Sequence, residues 1–180
     1  KKVNIEDLLG RDAIKLNKEN VANQINNKIV LVTGAAGSIG SEICRQILHY
    51  QPKKLILLDQ AESNLYDLEH ELRSKEFYIN WEIVIGDVTN FSRMERIFSH
   101  FSPELVFHAA AYKHVPLMEL NPSEAITTNV SGTKNLIDLS HSFKVQKFIL
   151  ISTDKAVNPT SIMGASKRIA EIYAQSFNEQ

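Results

Sequence analysis

The apolar run Ile29-Val30-Leu31-Val32 leads directly into Thr33-Gly34-Ala35-Ala36-Gly37-Ser38-Ile39-Gly40, and an amphipathic stretch follows. Few folds accept three glycines at this spacing between a strand and a helix. Gly34 permits a sharp turn, Gly37 lets the backbone approach a pyrophosphate, and Gly40 lets the helix pack close to the strand. The free amides and the positive dipole end of that helix then face the phosphates. Three glycines alone are weak, but the strand-to-helix junction is the context that a dinucleotide site requires. Gly34, Ala36, Gly37, Ser38, Ile39 and Gly40 are therefore the first candidate cofactor residues.

The remaining apolar runs repeat this arrangement. They predict strands near 28–33, 54–59, 81–86, 104–109 and 146–152, and helices near 38–50, 61–75, 90–101, 121–141 and 161–178. Continuous rather than alternating apolar runs imply strands buried on both faces of a parallel sheet. Right-handed strand–helix–strand crossovers make this a Rossmann-like, doubly wound α/β fold with strand order 3-2-1-4-5. Residues 28–180 are expected to form the nucleotide-binding domain. Residues 1–27 are polar and Asn-rich, and read as a leader that docks on it, with one short apolar patch at Ile5-Glu6-Asp7-Leu8-Leu9.

A formal charge of -1 over 180 residues offers no field for nucleic acid. The apolar runs are too short to span a bilayer. Cys44 is the single cysteine, so no internal disulfide forms; it reads as a small core residue in a reducing compartment. The histidines show no metal-ligand spacing, and no metal is expected.

Asp59 closes the second strand, 19 residues beyond Gly40. A carboxylate there either accepts from the adenosine ribose hydroxyls or is simply a solvated strand end. It would repel a 2′-phosphate, and no Arg or Lys follows before Arg73, which favours NAD over NADP. Gly86-Asp87-Val88 closes the third strand, where an Asp commonly meets the adenine edge. His108-Ala109-Ala110-Ala111 closes the fourth, and its small residues leave room for the cofactor's central phosphates and ribose.

These residues resemble the extended branch of the short-chain dehydrogenase/reductase superfamily, whose fingerprint is Gly34-x-x-Gly37-x-x-Gly40. More narrowly, the segments GAAGSIGSEICRQI (34–47), HAAAYKHVPLMELNPSEAITTNVSGT (108–133) and ISTDKAVNPTSIMGASKR (151–168) are similar to bacterial nucleotide-sugar 4,6-dehydratases. These enzymes serve capsule, O-antigen and protein-glycan synthesis. The likeness is to the large, membrane-anchored type acting on UDP-N-acetylglucosamine. One departure from the wider superfamily stands out. The catalytic Tyr of Tyr-x-x-x-Lys is replaced by Met163, four positions before Lys167. A thioether cannot carry a proton, but the large dehydratases resembled here have the same Met.

A 4,6-dehydratase oxidises the sugar at C4, eliminates water across C5 and C6, and returns the hydride to C6. The resemblance implies Asp154 as the acid protonating the C6 oxygen and Lys155 as the C5 base, its pKa lowered by desolvation. Thr153 would orient the C4 hydroxyl, Lys167 would hold the nicotinamide ribose, and a bound water would relay the C4 proton in place of the tyrosine. Lys113 and His114 either line the sugar or diphosphate site or form an exposed loop pair. Asn129 is either a residue of the substrate site, bonded to backbone or water there, or a plain helix Asn.

The start at Lys1-Lys2 and the end at Gln180 suggest a soluble piece of a longer protein. The resemblance implies that the missing part holds the substrate lobe, so this piece alone should be inactive. The parent is expected to be a homo-oligomer anchored at the cytoplasmic face of the bacterial inner membrane, acting on a UDP-sugar. Two other functions compete. A nucleotide-sugar 4-epimerase shares fold and cofactor but needs no C6 acid, and a non-catalytic dinucleotide-binding module would not need the Thr-Asp-Lys loop.

Overall fold

The computed structural model describes residues 18–74 and 80–177. Five strands form one sheet: β1 (Ile29–Thr33), β2 (Lys54–Asp59), β3 (Trp81–Ile85), β4 (Leu105–His108) and β5 (Lys147–Leu150). All pairs are parallel and the order is β3-β2-β1-β4-β5, as the sequence predicts. The register aligns Thr33 with Leu58 and His108, Asp59 with Ile85, and His108 with Leu150. The carboxyl ends of all five strands therefore share one edge.

Alternate residues of the inner strands feed two cores. Val30, Val32, Leu55 and Leu57 pack against α2 (Ser38–Leu48) and α3 (Glu62–Ser74). Leu31, Ile56, Leu58 and Val106 pack against α4 (Phe91–Phe101) and α7 (Thr133–Ser142) on the other face. Burial on both faces is why these runs are continuously apolar. The outer strands depart from the expectation, because most of β3 and all of β5 keep some exposure at the sheet margins.

Helix α1 (Lys18–Ile25) precedes the sheet, with Ile25 buried in the first core and Val21 packed on it. The rest of the expected leader, including the patch at residues 5–9, lies outside the described residues.

The single helix expected over 121–141 is three pieces: α6 (Pro122–Ala125), a π-helix (Ile126–Gly132) and α7; a short helix that was not expected, α5 (Val115–Leu120), precedes them. Pro116 and Pro122 each sit in a first helical turn, where a missing N–H costs nothing. The π turn lies where the chain passes Val88, and a Cβ added at Gly132 would stand 2.7 Å from Val88 Cγ2. Helix α8 (Ile162–Ser176) packs on α5, the π turn and α7.

Candidate active site

The glycine turn is shaped by two close approaches. Gly34 adopts φ +67°, and a Cβ there would collide with the Ala110 backbone. A Cβ at Gly40 would land on the Gly34 carbonyl. Gly37 is the N-cap of α2 and brings no side-chain bond to the helix's first turn. The start of an 11-residue helix thus faces the strand edge without a side-chain cap, which suits an anionic ligand.

Asp59 braces this turn. Its Oδ2 accepts from Ala36 N and its Oδ1 from Ala61 N, both at 3.0 Å. A cavity of about 210 Å³ runs from Asp59 past Gly86, Asp87 and Val88 to Ala109, Ala110 and Ala111. Asp87 accepts from Thr89 N at 2.8 Å, fixing the bend after β3.

A second cavity, of about 280 Å³, shares Ala109, Ala111 and Tyr112 with the first. Thr153, Lys155, Met163 and Lys167 line it, together with Ile39 and Lys113. Thr153, Lys155, Met163 and Lys167 therefore meet most of the expected cofactor residues along one crevice at the carboxyl edge, where such sheets bind ligands.

Met163 is buried in a small apolar cluster with Met118 and Ala125, where it forms wall rather than proton carrier. Lys167, also buried, donates from Nζ to the Ile151 carbonyl at 2.6 Å. Burial holds its pKa below the usual lysine value, partly offset by Glu171. The preceding loop closes on the same helix: Glu171 accepts from the Ser152 hydroxyl at 2.5 Å, and a Cβ at Gly164 would strike the Lys155 carbonyl.

Asp154 sits differently from the expectation. Its side chain is 85% exposed, and it is not among the residues lining the second cavity. The Thr153 hydroxyl, then the Lys155 ammonium at 3.3 Å, hold its carboxyl below the usual range. As arranged here it is an ionised carboxylate, not a proton donor. Lys155, with its side chain 54% exposed, stands at the rim rather than in a dry pocket.

Asn129 makes no ligand-facing surface either. It is buried on the π turn, accepts from Tyr112 N at 2.8 Å, and donates to Tyr112 O and Ser166 Oγ at 3.0 and 2.9 Å. A direct substrate contact does not fit, because its donors already clamp Tyr112 and tie it to α8. His114 is exposed at the N-cap of α5 and lines neither cavity of the crevice. Lys113 does, and its Nζ reaches Ser38 Oγ at 3.3 Å across the crevice mouth.

His108 was read from sequence only as part of a small-residue run, yet it is fully buried and organises the strand edge. Thr133 gives its hydroxyl proton to Asn129 O at 2.7 Å. His108 Nε2 must then donate to Thr133 Oγ1 at 2.9 Å, and Nδ1 accepts from the Thr33 hydroxyl at 2.7 Å. Burial, with Lys167 nearby, pushes its pKa down to about 3, so the ring is neutral. The signal available in the sequence was a histidine ending an otherwise apolar strand. Among the described residues, no group of three or more His, Cys, Asp or Glu could hold a metal ion. Nor, among them, is any helix long and apolar enough to cross a membrane.

Comparison with known proteins agrees with this fold. The capsular polysaccharide biosynthesis protein CapD of Staphylococcus aureus is 52% identical over 99% of the chain and 30% of its own length. The UDP-N-acetylglucosamine 4,6-dehydratase (inverting) of Campylobacter jejuni serotype O:23/36 is 37% identical over 79% of the chain and 41% of its own length. Proteins named UDP-glucose 4-epimerase also match, at lower identity. Among solved structures, the dTDP-glucose 4,6-dehydratase DesIV of Streptomyces venezuelae, with NAD and DAU bound, superposes with a TM-score of 0.72 at 25% identity. That match covers 84% of the chain and 52% of DesIV. The chain thus spans between about a third and a half of these proteins. With the family's sequence profile matching residues 30–180, the chain belongs to the polysaccharide biosynthesis protein family.

Proposed function

We propose that the chain carries the NAD crevice and catalytic loop of a UDP-N-acetylglucosamine 4,6-dehydratase in bacterial polysaccharide synthesis. In this reading the whole protein works at the cytoplasmic face of the inner membrane. The observation that carries the reading is the second cavity, where Thr153, Lys155, Met163 and Lys167 face one space continuous with the glycine-turn crevice. A dinucleotide fits the residues present. Gly34 and Gly40 leave the turn open, the start of α2 lacks a side-chain cap, and Asp59 and the alanines line the rest. The carboxylate of Asp59 favours NAD over NADP. Bound there, NAD supplies the hydride acceptor for C4 and the hydride donor for C6.

The chain's own residues do the rest. Lys167 keeps one proton on Ile151 O and offers the others to the nicotinamide ribose. Thr153 turns its hydroxyl from Asp154 to the sugar C4 oxygen, and a water takes the C4 hydroxyl proton and passes it to solvent, since Met163 cannot. Substrate closing over the rim desolvates the Asp154–Lys155 ion pair, and the Lys155 ammonium passes a proton to the Asp154 carboxylate. The neutral Lys155 amine then takes the C5 proton while the Asp154 carboxyl protonates the departing C6 hydroxyl, which leaves as water. Lys155 returns its proton to C5 as C6 receives the hydride.

The relative named a 4,6-dehydratase supports this reading. The Thr153-Asp154-Lys155 loop favours it over a 4-epimerase, which keeps the C6 oxygen and needs no acid there. Incubating the full-length protein with UDP-N-acetylglucosamine and weighing the product tests it. Loss of one water is expected; a product of unchanged mass would replace the dehydratase reading with the epimerase one.

A further inference from the structure

Helix α8 holds the whole catalytic loop. Its Lys167 binds Ile151 O, its Glu171 takes the Ser152 hydroxyl, and its Gly164 lies against the Lys155 carbonyl. Any shift of α8 therefore shifts Thr153 and Lys155. The start of α8 has two anchors. Ser161, its N-cap, accepts from Gly164 N at 3.1 Å. The other anchor comes from 43 residues earlier in sequence, where Glu119 Oε1 on α5 accepts from Ile162 N at 2.7 Å.

We infer that Glu119 is a positioning residue, the bracket through which α5 sets the catalytic helix. Three observations carry this. The accepted N–H belongs to the first residue of α8, which has no partner within its own helix. A carboxylate there also complements the positive end of the helix. The residue before it, Met118, packs on Met163 in the same cluster as Val115 and Ile162. The bracket thus combines one polar and one apolar contact, both at the first turn that bears Met163.

Glu119 touches neither cavity of the crevice, so its effect must pass through α8. The catalytic part of this inference rests on the dehydratase reading, whereas the anchoring part does not. Two variants separate the contributions: Glu119→Gln keeps an acceptor, and Glu119→Ala removes it. Amide hydrogen exchange in the full-length protein should quicken over residues 161–168 in Glu119→Ala and return close to wild type in Glu119→Gln. Strands β1 and β2 should stay unchanged in both. With UDP-N-acetylglucosamine, Glu119→Ala should lower kcat on the order of 10- to 100-fold, the scale of small misplacements at reacting groups. NAD affinity should hold, and Glu119→Gln should recover most of the loss. Unchanged exchange at 161–168 in Glu119→Ala overturns the anchor. Altered exchange there with full kcat overturns the positioning role. If the wild-type protein shows no turnover, the dehydratase reading fails, while the exchange pattern still decides the anchor.

Discussion

Lowering the pH from 7 to 5 should destabilise the fold through His108. The neutral ring accepts from Thr33 and donates to Thr133, with no exposure to water. Its folded pKa, about 3, lies below the ordinary 6.5 because burial opposes the charged form and Lys167 repels it. Below pH 6.5 the unfolded chain therefore binds a proton that the folded chain refuses. Stability from this group is complete above that pH and declines as pH falls toward 3. The gap between the two values caps the loss at about 5 kcal/mol, of which about 2 kcal/mol is gone by pH 5.

Urea unfolding at pH 7 and pH 5, on the wild type and on His108→Asn, measures this loss. The chain has six histidines, so the difference between the two proteins isolates the one of interest. The wild type should lose about 2 kcal/mol more than the variant between these pH values. Equal pH dependence in both would refute the reasoning, as would an imidazole signal of folded His108 that titrates near 6.5.

Three further outcomes follow from the crevice. The chain should bind NAD in preference to NADP by calorimetry, and Asp59→Asn should narrow the ratio; tighter NADP binding by the wild type would contradict the assignment of Asp59. Gly40→Ala forces a methyl onto the Gly34 carbonyl, so NAD binding should fall at least 10-fold by titration, a loss of over about 1.4 kcal/mol. In the full-length enzyme, Asp154→Asn and Lys155→Met should each slow water elimination by roughly 10²–10⁴-fold. Met163→Ala should keep substantial turnover, and the reverse ranking in product assays would overturn the acid–base roles.

The sheet was legible because burial on both faces leaves a continuous apolar run, and the inner strands β1 and β2 show it most clearly. The glycine turn was legible because steric exclusion at Gly34 and Gly40 admits no other residue. What escaped depends on contacts between distant segments. The π turn, whose last residue Gly132 lies against Val88, is recorded by no local periodicity. Asn129 reads in sequence as bonding backbone or water near the site or as a plain helix Asn; its amide holds the backbone of Tyr112, which lines both cavities, and Ser166, in segments 17 and 37 residues away. Helix α5 went unpredicted, being only six residues long with Pro116 in its first turn. Asp154 was placed by its neighbours in sequence, yet its side chain points to water and lies outside the second cavity. Its acid role therefore depends on what substrate does to Lys155.

The most direct test of the central claim is turnover of UDP-N-acetylglucosamine by the full-length protein in heavy water, read by mass and by NMR. The account predicts a product lighter by one water, with a single solvent-derived deuterium at C5 and no net reduced cofactor. A product that retains its C6 oxygen, or that carries no deuterium at C5, would contradict the roles given to Asp154 and Lys155.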